Sequence, residues 1–116
     1  MMDRDITIVK GNTLNFFVNF TLQSDESITD ITEIYFSGKD KLSDSEYAFQ
    51  LTLGNGIELQ EGTTKFLVSL SHDISDTLIS NENYYYDLTF VINGNVFTLM
   101  KGILKVEANV TNVPVS

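Results

Sequence analysis

Apolar and polar residues alternate with a period of two along most of this chain. One parity is almost wholly apolar or aromatic in the four clearest runs, at residues 14–22, 47–53, 66–70 and 84–92. Such alternation is typical of β-strands that bury one face and expose the other. Weaker runs predict further strands at residues 6–10, 31–37, 57–59 and 95–110. The pattern therefore predicts an all-β chain of seven to nine short strands.

Four local features refine this pattern. Residues 73–79 place Ile74 and Leu78 at helical spacing, which predicts one helical turn near residues 73–79, with Asp73 as its cap. Asn93-Gly94 separates two strands and favours a hairpin turn of type I′. The apolar parity of the return strand changes after Gly102, which predicts a β-bulge at that glycine. Residues 38–45 are charged and small, and we expect them to form an exposed loop or sheet edge.

Short strands with turn signals every 8–12 residues or so predict an immunoglobulin-like antiparallel β-sandwich, with a small closed barrel as the alternative. The 116 residues form one predicted domain, with a core from about residue 5 to 112 and a polar tail at 113–116. The chain has no cysteine or tryptophan, so it lacks the Cys-Trp-Cys set of antibody domains.

Composition and charge exclude several classes of function. Sixteen acidic and seven basic residues give a net charge of −9, which disfavours nucleic acid and anionic membranes as partners. Without cysteine there is no disulfide and no thiolate nucleophile or metal ligand. The acidic start has no signal-peptide pattern, and no apolar run is long enough for membrane insertion. No cofactor is predicted, because the chain has no glycine-rich phosphate loop.

Candidate chemistry is sparse. His72 is the single histidine, and on a strand its neighbour Asp73 would point to the opposite face, so we expect no catalytic pair and no enzyme. Asp40, Asp44 and Glu46 are the candidate calcium ligands, although their spacing is not that of an EF-hand loop. A second acidic patch is formed by Asp25, Glu26 and Asp30. We expect both patches to be solvated loops that discourage edge pairing.

Aromatic and basic residues supply the candidate contacts for a partner or a glycan. Residues 84–86 are three consecutive tyrosines, of which Tyr84 and Tyr86 share the predicted core face while Tyr85 takes the other. An exposed tyrosine offers an apolar ring and a polar hydroxyl to a ligand. The predicted contact residues are Tyr85, Tyr35, Lys39 and Lys41.

Four stretches resemble the Ig-like N-terminal domain of phage baseplate upper proteins and related short phage virion proteins. They are residues 5–13 leading into a Phe-rich strand, residues 28–32, residues 76–78 with the Tyr-Tyr-Tyr-Asp-Leu step at 84–88, and residues 94–106 with Val110-Thr111. The resemblance covers residues 5 to 112. Asn83 stands where the family has a glycine before its Tyr-x-Tyr step, and we expect no fibre or sugar-binding region to follow the domain.

This resemblance implies a non-enzymatic structural protein of a phage particle, in its tail, baseplate or outer capsid, and it transfers no catalytic residue. Other virion proteins are the implied partners, in a homo-oligomer or another symmetric assembly. Expected contacts are the edge at residues 38–46 and the two terminal strands. The implied location is the virion, assembled in the host cytoplasm. The alternative function is a carbohydrate-binding or cell-surface adhesion module, assisted by calcium in one version.

Overall fold

The computed structural model describes residues 2–21, 30–60 and 64–111. Within these ranges the chain forms nine strands and one short helix, in the order β1 (Met2–Asp3), β2 (Ile6–Val9), β3 (Leu14–Asn19), β4 (Ile31–Lys39), β5 (Phe49–Leu53), β6 (Gly56–Leu59), β7 (Lys65–Leu70), α1 (His72–Ser75), β8 (Asn83–Ile92) and β9 (Asn95–Glu107). The predicted tail at 113–116 and the acidic residues Asp25 and Glu26 lie outside the described residues.

The strands form two layers. In the first, β1 and β2 pair in parallel with one edge of β9, and β9, β8, β4 and β5 follow in antiparallel order. In the second, β6, β7 and β3 are antiparallel neighbours. A short parallel pairing of β5 with β6 joins the layers at one side.

Ring contacts between strands that are far apart in this order show that the layers face each other. Phe16 of β3 meets Phe36 of β4 with centroids 5.6 Å apart, and Phe20, just after β3, lies 6.2 Å from Phe90 of β8. This pairing of layers is the arrangement of an immunoglobulin-like sandwich, as predicted. The pairing is antiparallel except at β1, β2 and the β5–β6 junction, which pair in parallel.

The core follows the predicted alternation. Along β8 the even-numbered residues from Tyr84 to Ile92 are buried, while the odd-numbered residues are exposed or half-buried. The Tyr84 hydroxyl accepts a hydrogen bond from the Ile79 amide at 3.0 Å, as the tyrosine corner of immunoglobulin-like domains does. Two residues further along, Tyr86 packs on Phe36 with centroids 5.4 Å apart. Rings of Phe16, Phe36 and Tyr86 thus join the two layers where antibody domains use a disulfide and a tryptophan.

The helical turn exists but is shorter than predicted, and its cap is a different residue. Helix α1 covers His72–Ser75, and Ser71 is its N-cap, with the hydroxyl accepting from the Ile74 amide at 3.4 Å. Asp73, the predicted cap, lies inside the first turn, because the helix begins at His72, directly after Ser71. Four residues are too few for a helix to cross a membrane, and the described part of the chain has no longer helix.

Polar contacts connect helix α1 and the residues just after it to residues 10–12, which lie between β2 and β3. The buried Ser75 hydroxyl donates to the Asn12 carbonyl at 2.7 Å. The Lys10 ammonium donates to the carbonyls of Asp76 and Leu78, next to the end of α1. A cation beside these carbonyls satisfies acceptors that the helix leaves open.

The β-bulge lies three residues before the predicted position. Leu88 pairs with Met100 but Thr89 pairs with Thr98, so Leu99 is the extra residue and the parity changes there. Gly102 has another role, since a Cβ at this position would lie 2.0 Å from the Arg4 carbonyl oxygen. The glycine allows the N-terminal segment to lie close against β9.

The prediction of a loop or edge beginning at residue 38 was also wrong. Gly38 and Lys39 belong to β4, between β5 and β8, and Gly38 pairs with Phe49 on one side and Tyr86 on the other. A Cβ at residue 38 would lie only 2.2 Å from the nearest atom of the Phe49 ring, so the ring fills the space that a side chain would need. In contrast, the hairpin at Asn93-Gly94 is confirmed as type I′, with φ of 51° and 78°.

The Tyr86 hydroxyl makes the protein's stability sensitive to alkali. It donates to the Arg4 carbonyl, and burial raises the pKa of Tyr86 above its ordinary value, with a further contribution from Asp5 and an opposing one from Arg4. Because the folded chain holds this proton more tightly than the unfolded chain, the stabilisation is complete below about pH 10, the pKa of an unperturbed tyrosine. It is lost as pH rises through the folded-state pKa.

We therefore expect Tyr86→Phe to lower the free energy of unfolding by about 1 kcal/mol at neutral pH, through the lost hydrogen bond. The variant should also lose less stability than the wild type as pH rises above about 10, the pKa of an unperturbed tyrosine. Urea titrations at several pH values measure both effects. Parallel stability–pH curves for the two proteins would contradict this account.

Candidate functional site

A broad groove covers the outer face of the first layer, with a volume of about 880 Å³. Its floor consists of outward-pointing residues of β4, β8 and β9, because period-two alternation sends every second side chain of each strand to that face. Strand register arranges these side chains in three parallel rows.

The two outer rows carry aromatic and hydroxyl side chains. In one, Tyr85 lies between Lys39 of β4 and Ile103 of β9. In the other, Thr89 lies between Tyr35 and Thr98, and the two threonine hydroxyls are 3.2 Å apart. Side chains directly opposite each other on neighbouring strands lie about 4.5–5.5 Å apart at Cβ, so each row is a continuous surface.

The middle row is polar. It runs through Gln50, Ser37, Asp87, Lys101 and Asp3, each paired with the next across neighbouring strands. The Gln50 amide donates to the Ser37 hydroxyl at 3.0 Å, and the Thr89 hydroxyl donates to the Asp87 carboxylate at 3.4 Å. Charges of both signs therefore lie between the two aromatic rows.

The segment between β4 and β5 forms one wall of the groove. Leu42 and Tyr47 line it, and Tyr47 remains 51% exposed. The Lys39 ammonium lies over the Tyr47 ring at 5.2 Å from the centroid, a cation–π contact that orients both side chains. Tyr35, Tyr47 and Tyr85 thus line one surface, on which Lys39 contacts Tyr47 and lies opposite Tyr85.

Tyr35 stays protonated over a wide pH range. A hydrogen bond with the Glu33 carboxylate is the largest cause that raises the pKa of Tyr35 above its ordinary value, followed by desolvation and the nearby negative charge. The neutral hydroxyl remains a hydrogen-bond donor at the rim of the groove.

The structure brings together three of the four predicted contact residues. Tyr35, Lys39 and Tyr85 line the groove, whereas Lys41 does not; the Lys41 amide donates to the Asp44 carboxylate at 3.1 Å. Sequence reasoning missed Tyr47, Gln50 and Lys101. Counting pairs outward from Asn93-Gly94 would have placed Lys101 near Asp87, had the extra residue Leu99 been known.

The candidate calcium ligands do not converge. Asp44 closes a turn by accepting from the Lys41 amide, while its own amide donates to the Lys41 carbonyl at 3.0 Å. Among the described residues no three acidic or histidine side chains are grouped to hold a metal ion. Asp30, from the second acidic patch, is described, and its partners Asp25 and Glu26 are not.

We expect the melting temperature to be the same in millimolar calcium and in chelator, because a calcium loop needs six to eight converging oxygens or so. Differential scanning fluorimetry measures this directly. A calcium-dependent rise of several degrees that is lost in Asp44→Asn would show that the loop binds the ion.

His72 and Asp73 are closer than the sequence predicts. The imidazole Nε2 lies 2.9 Å from the Asp73 carboxylate, because both residues belong to a helical turn, where neighbouring side chains diverge less than on a strand. The expectation that they point to opposite faces was wrong. Neither residue lines the groove.

Comparisons with known proteins add little to this picture. No family model matches the chain, and no curated protein matches it. Among solved structures it is similar to that titled "Crystal structure of swine CD8aa homodimer", at 13% identity over 90% of this chain and 92% of that chain, with a TM-score of 0.45. Because that superposition is loose, the strand order and the core described above carry the fold assignment.

Proposed function

We propose that this chain is a non-enzymatic docking module of a phage particle, and that its outer-face groove binds another protein of that particle. The observation that carries the proposal is that Tyr35, Tyr47 and Tyr85 line one groove, in which Lys39 contacts Tyr47 and lies opposite Tyr85. Tyrosines are enriched in the energetic centres of protein interfaces, since they combine large apolar area with a polar end.

The strands that carry the groove residues suit a binding role. Tyr35, Lys39 and Tyr85 project from β4 and β8, which are central strands paired on both sides. Side chains on paired strands are positioned more rigidly than those on loops, so less conformational entropy is lost on binding. The mixed charges of the middle row supply the polar contacts that set the orientation of a partner.

The phage setting rests on the family resemblance of residues 5–112 described above. Net charge −9 supports a position on the outside of a particle rather than against packaged nucleic acid. An immunoglobulin-like sandwich without cysteine fits folding in a reducing cytoplasm, where phage particles assemble.

The test is binding to the separately purified products of the genes that flank this one. We expect one such protein to bind the chain by biolayer interferometry, with a dissociation constant at least about tenfold higher for Tyr85→Ala than for the wild type. Val96→Ala is the matched control, because Val96 is an exposed apolar residue of β9 outside the groove lining. If no flanking product binds, or if Tyr85→Ala binds as the wild type does, the proposal fails.

A glycan is the second candidate ligand, supported by the presence of three tyrosine rings and the polar side chains of Gln50 and Asp87 in one groove. The groove has a volume of about 880 Å³, within the range of small-molecule sites, about 300–1,000 Å³. A glycan array probed with the wild type and Tyr85→Ala separates the two ligands. Array signal that Tyr85→Ala abolishes, without binding to any flanking product, would favour the glycan.

A further inference from the structure

The last strand of the second layer has an open edge. β3 pairs with β7 along its whole length, from Leu14 opposite Leu70 to Asn19 opposite Lys65. No described strand pairs with its other edge, and β3 ends the strand order. A groove of about 480 Å³ separates this edge from the N-terminal segment at residues 4–7, which pairs with the first layer instead.

Strand β3 itself lacks the features that usually prevent strand addition. Among the described residues, the nearest charges are Arg4 and Asp5 across the groove and Lys65, whose ammonium lies 5.4 Å from the centroid of the Phe17 ring. Residues 14–19 read Leu-Asn-Phe-Phe-Val-Asn and contain no charge, no proline and no bulge. Phe17 points outward from the middle of the strand and is 57% exposed. The core-facing side chains of Phe16 and Val18 are only partly buried, whereas their pairing partners on β7, Val68 and Phe66, are fully buried.

The direction of the backbone groups at the open edge follows from one hydrogen bond. The Phe20 amide donates to the Thr64 carbonyl at 2.9 Å, on the β7 side. Since successive residues of a strand direct their N–H and C=O groups to opposite sides, Phe16 and Val18 also face β7. The N–H and C=O groups of Asn15, Phe17 and Asn19 therefore point to the open edge.

We infer that β3 pairs with β3 of a second copy of this chain, antiparallel, with a two-fold axis at Phe17. In this register Phe17 is opposite Phe17 of the partner subunit, and Asn15 is opposite Asn19 in both directions. All three are edge-facing residues, so the three residue pairs exchange two hydrogen bonds each, six in all. Phe16 then lies opposite Val18, which places apolar beside apolar on the core face.

The second copy is favoured over another partner because the strand is complementary to itself. Every opposed pair is apolar with apolar or amide with amide, so no like charges meet despite the net charge of −9. A two-fold contact of this kind closes on itself and gives a dimer rather than a fibre. It lies on the second layer, so the groove of the first layer remains free for its own ligand.

The first test is sedimentation equilibrium of the full chain from about 10 µM to 1 mM, a range suited to a contact smaller than a standard interface. We expect a reversible dimer whose dissociation constant increases at least about tenfold in Phe17→Lys, which opposes two lysines across the axis. Tyr85→Lys is the matched control on the other layer and should dimerise as the wild type does. A chain that is monomeric throughout, or a dimer lost in Tyr85→Lys and kept in Phe17→Lys, would overturn the inference.

A second measurement uses only the wild type, so its result does not depend on whether Phe17→Lys folds correctly. In the wild type, residue-resolved hydrogen exchange should show the amides of Asn15, Phe17 and Asn19 becoming protected as concentration rises. Phe16 and Val18, which already face β7, should be protected at every concentration. Equal exchange of the Phe17 amide at both ends of the range would overturn the proposed pairing even if dimers form. A monomeric chain or unprotected amides would leave the groove proposal untouched, whereas a dimer lost in Tyr85→Lys would show that the groove binds a second copy, so the failures of the two proposals are distinguishable.

Discussion

Replacing Phe36 by alanine should lower the free energy of unfolding by about 3–5 kcal/mol, the largest effect we expect from a single truncation in this chain. Phe36 is fully buried at the centre of β4. Its ring contacts Phe16 from the opposite layer, Phe49 from the next strand and Tyr86 from β8, with centroids 5.4 to 5.6 Å apart. Alanine would remove all three contacts and leave a cavity between the layers.

Urea denaturation followed by circular dichroism measures this loss. Phe36→Leu keeps much of the apolar volume and should lie between alanine and the wild type. Val96→Ala, an exposed truncation, should stay within about 0.5 kcal/mol of the wild type. A loss below about 1.5 kcal/mol for Phe36→Ala would show that the aromatic cluster does not hold the layers together.

Gly102→Ala should destabilise the protein by about 2–3 kcal/mol by displacing the N-terminal segment. The new Cβ would lie 2.0 Å from the Arg4 carbonyl oxygen, a backbone atom that has no rotamer in which to move away. Two interactions would be lost with it, the Arg4 amide to the Lys101 carbonyl at 2.9 Å and the Tyr86 hydroxyl to the Arg4 carbonyl.

A double-mutant cycle tests that mechanism. Deleting residues 1–5 should itself be destabilising, and adding Gly102→Ala to the deleted chain should cost less than about 0.5 kcal/mol, since the clashing carbonyl is gone. If the losses in free energy of unfolding from the deletion and from Gly102→Ala are additive, the substitution destabilises β9 itself and does not act through the contact with Arg4. Gly94→Ala is the control for a glycine with open space, because nothing lies within 4 Å of its added Cβ, and its cost reflects only the φ of 78°.

Alternation along the chain predicts the fold well because burial of one face imposes a period of two on β3, β7 and β8. Tyr84 and Tyr86 are inside and Tyr85 is outside as that parity requires. The errors occur where backbone crowding, which leaves no periodic signal, decides the geometry. Gly102 was predicted to mark a bulge, but its role is to make room for the Arg4 carbonyl. Gly38 was predicted to begin a loop, but it lies in a central strand, packed against the Phe49 ring.

The candidate site was predictable only in part for the same reason. Parity places Tyr85 on the outer face, but only the register of β4 against β8 shows that Lys39, which the sequence places in a loop, is the neighbour of Tyr85. Tyr47 follows a loop whose path no pattern describes, so its contact with Lys39 appears only in the structure. Pairwise register between strands distant in sequence depends on the whole core.

The two proposed surfaces have different consequences for an assembly. The groove lies on the first layer and would bind a different protein, whereas the β3 edge lies on the second layer and would bind a second copy. A dimer formed through β3 would carry two grooves, so a partner with two copies of its own binding surface would gain avidity. This combination suits a symmetric particle, in which contacts repeat around an axis.

Site-specific photo-cross-linking in assembled phage particles tests the central claim most directly. A photoreactive phenylalanine analogue at position 85 should link this chain to a different particle protein, identified by mass spectrometry, while the same analogue at position 96 should not. Cross-links at position 96 but not at position 85, or absence of the chain from purified particles, would contradict the proposed docking function.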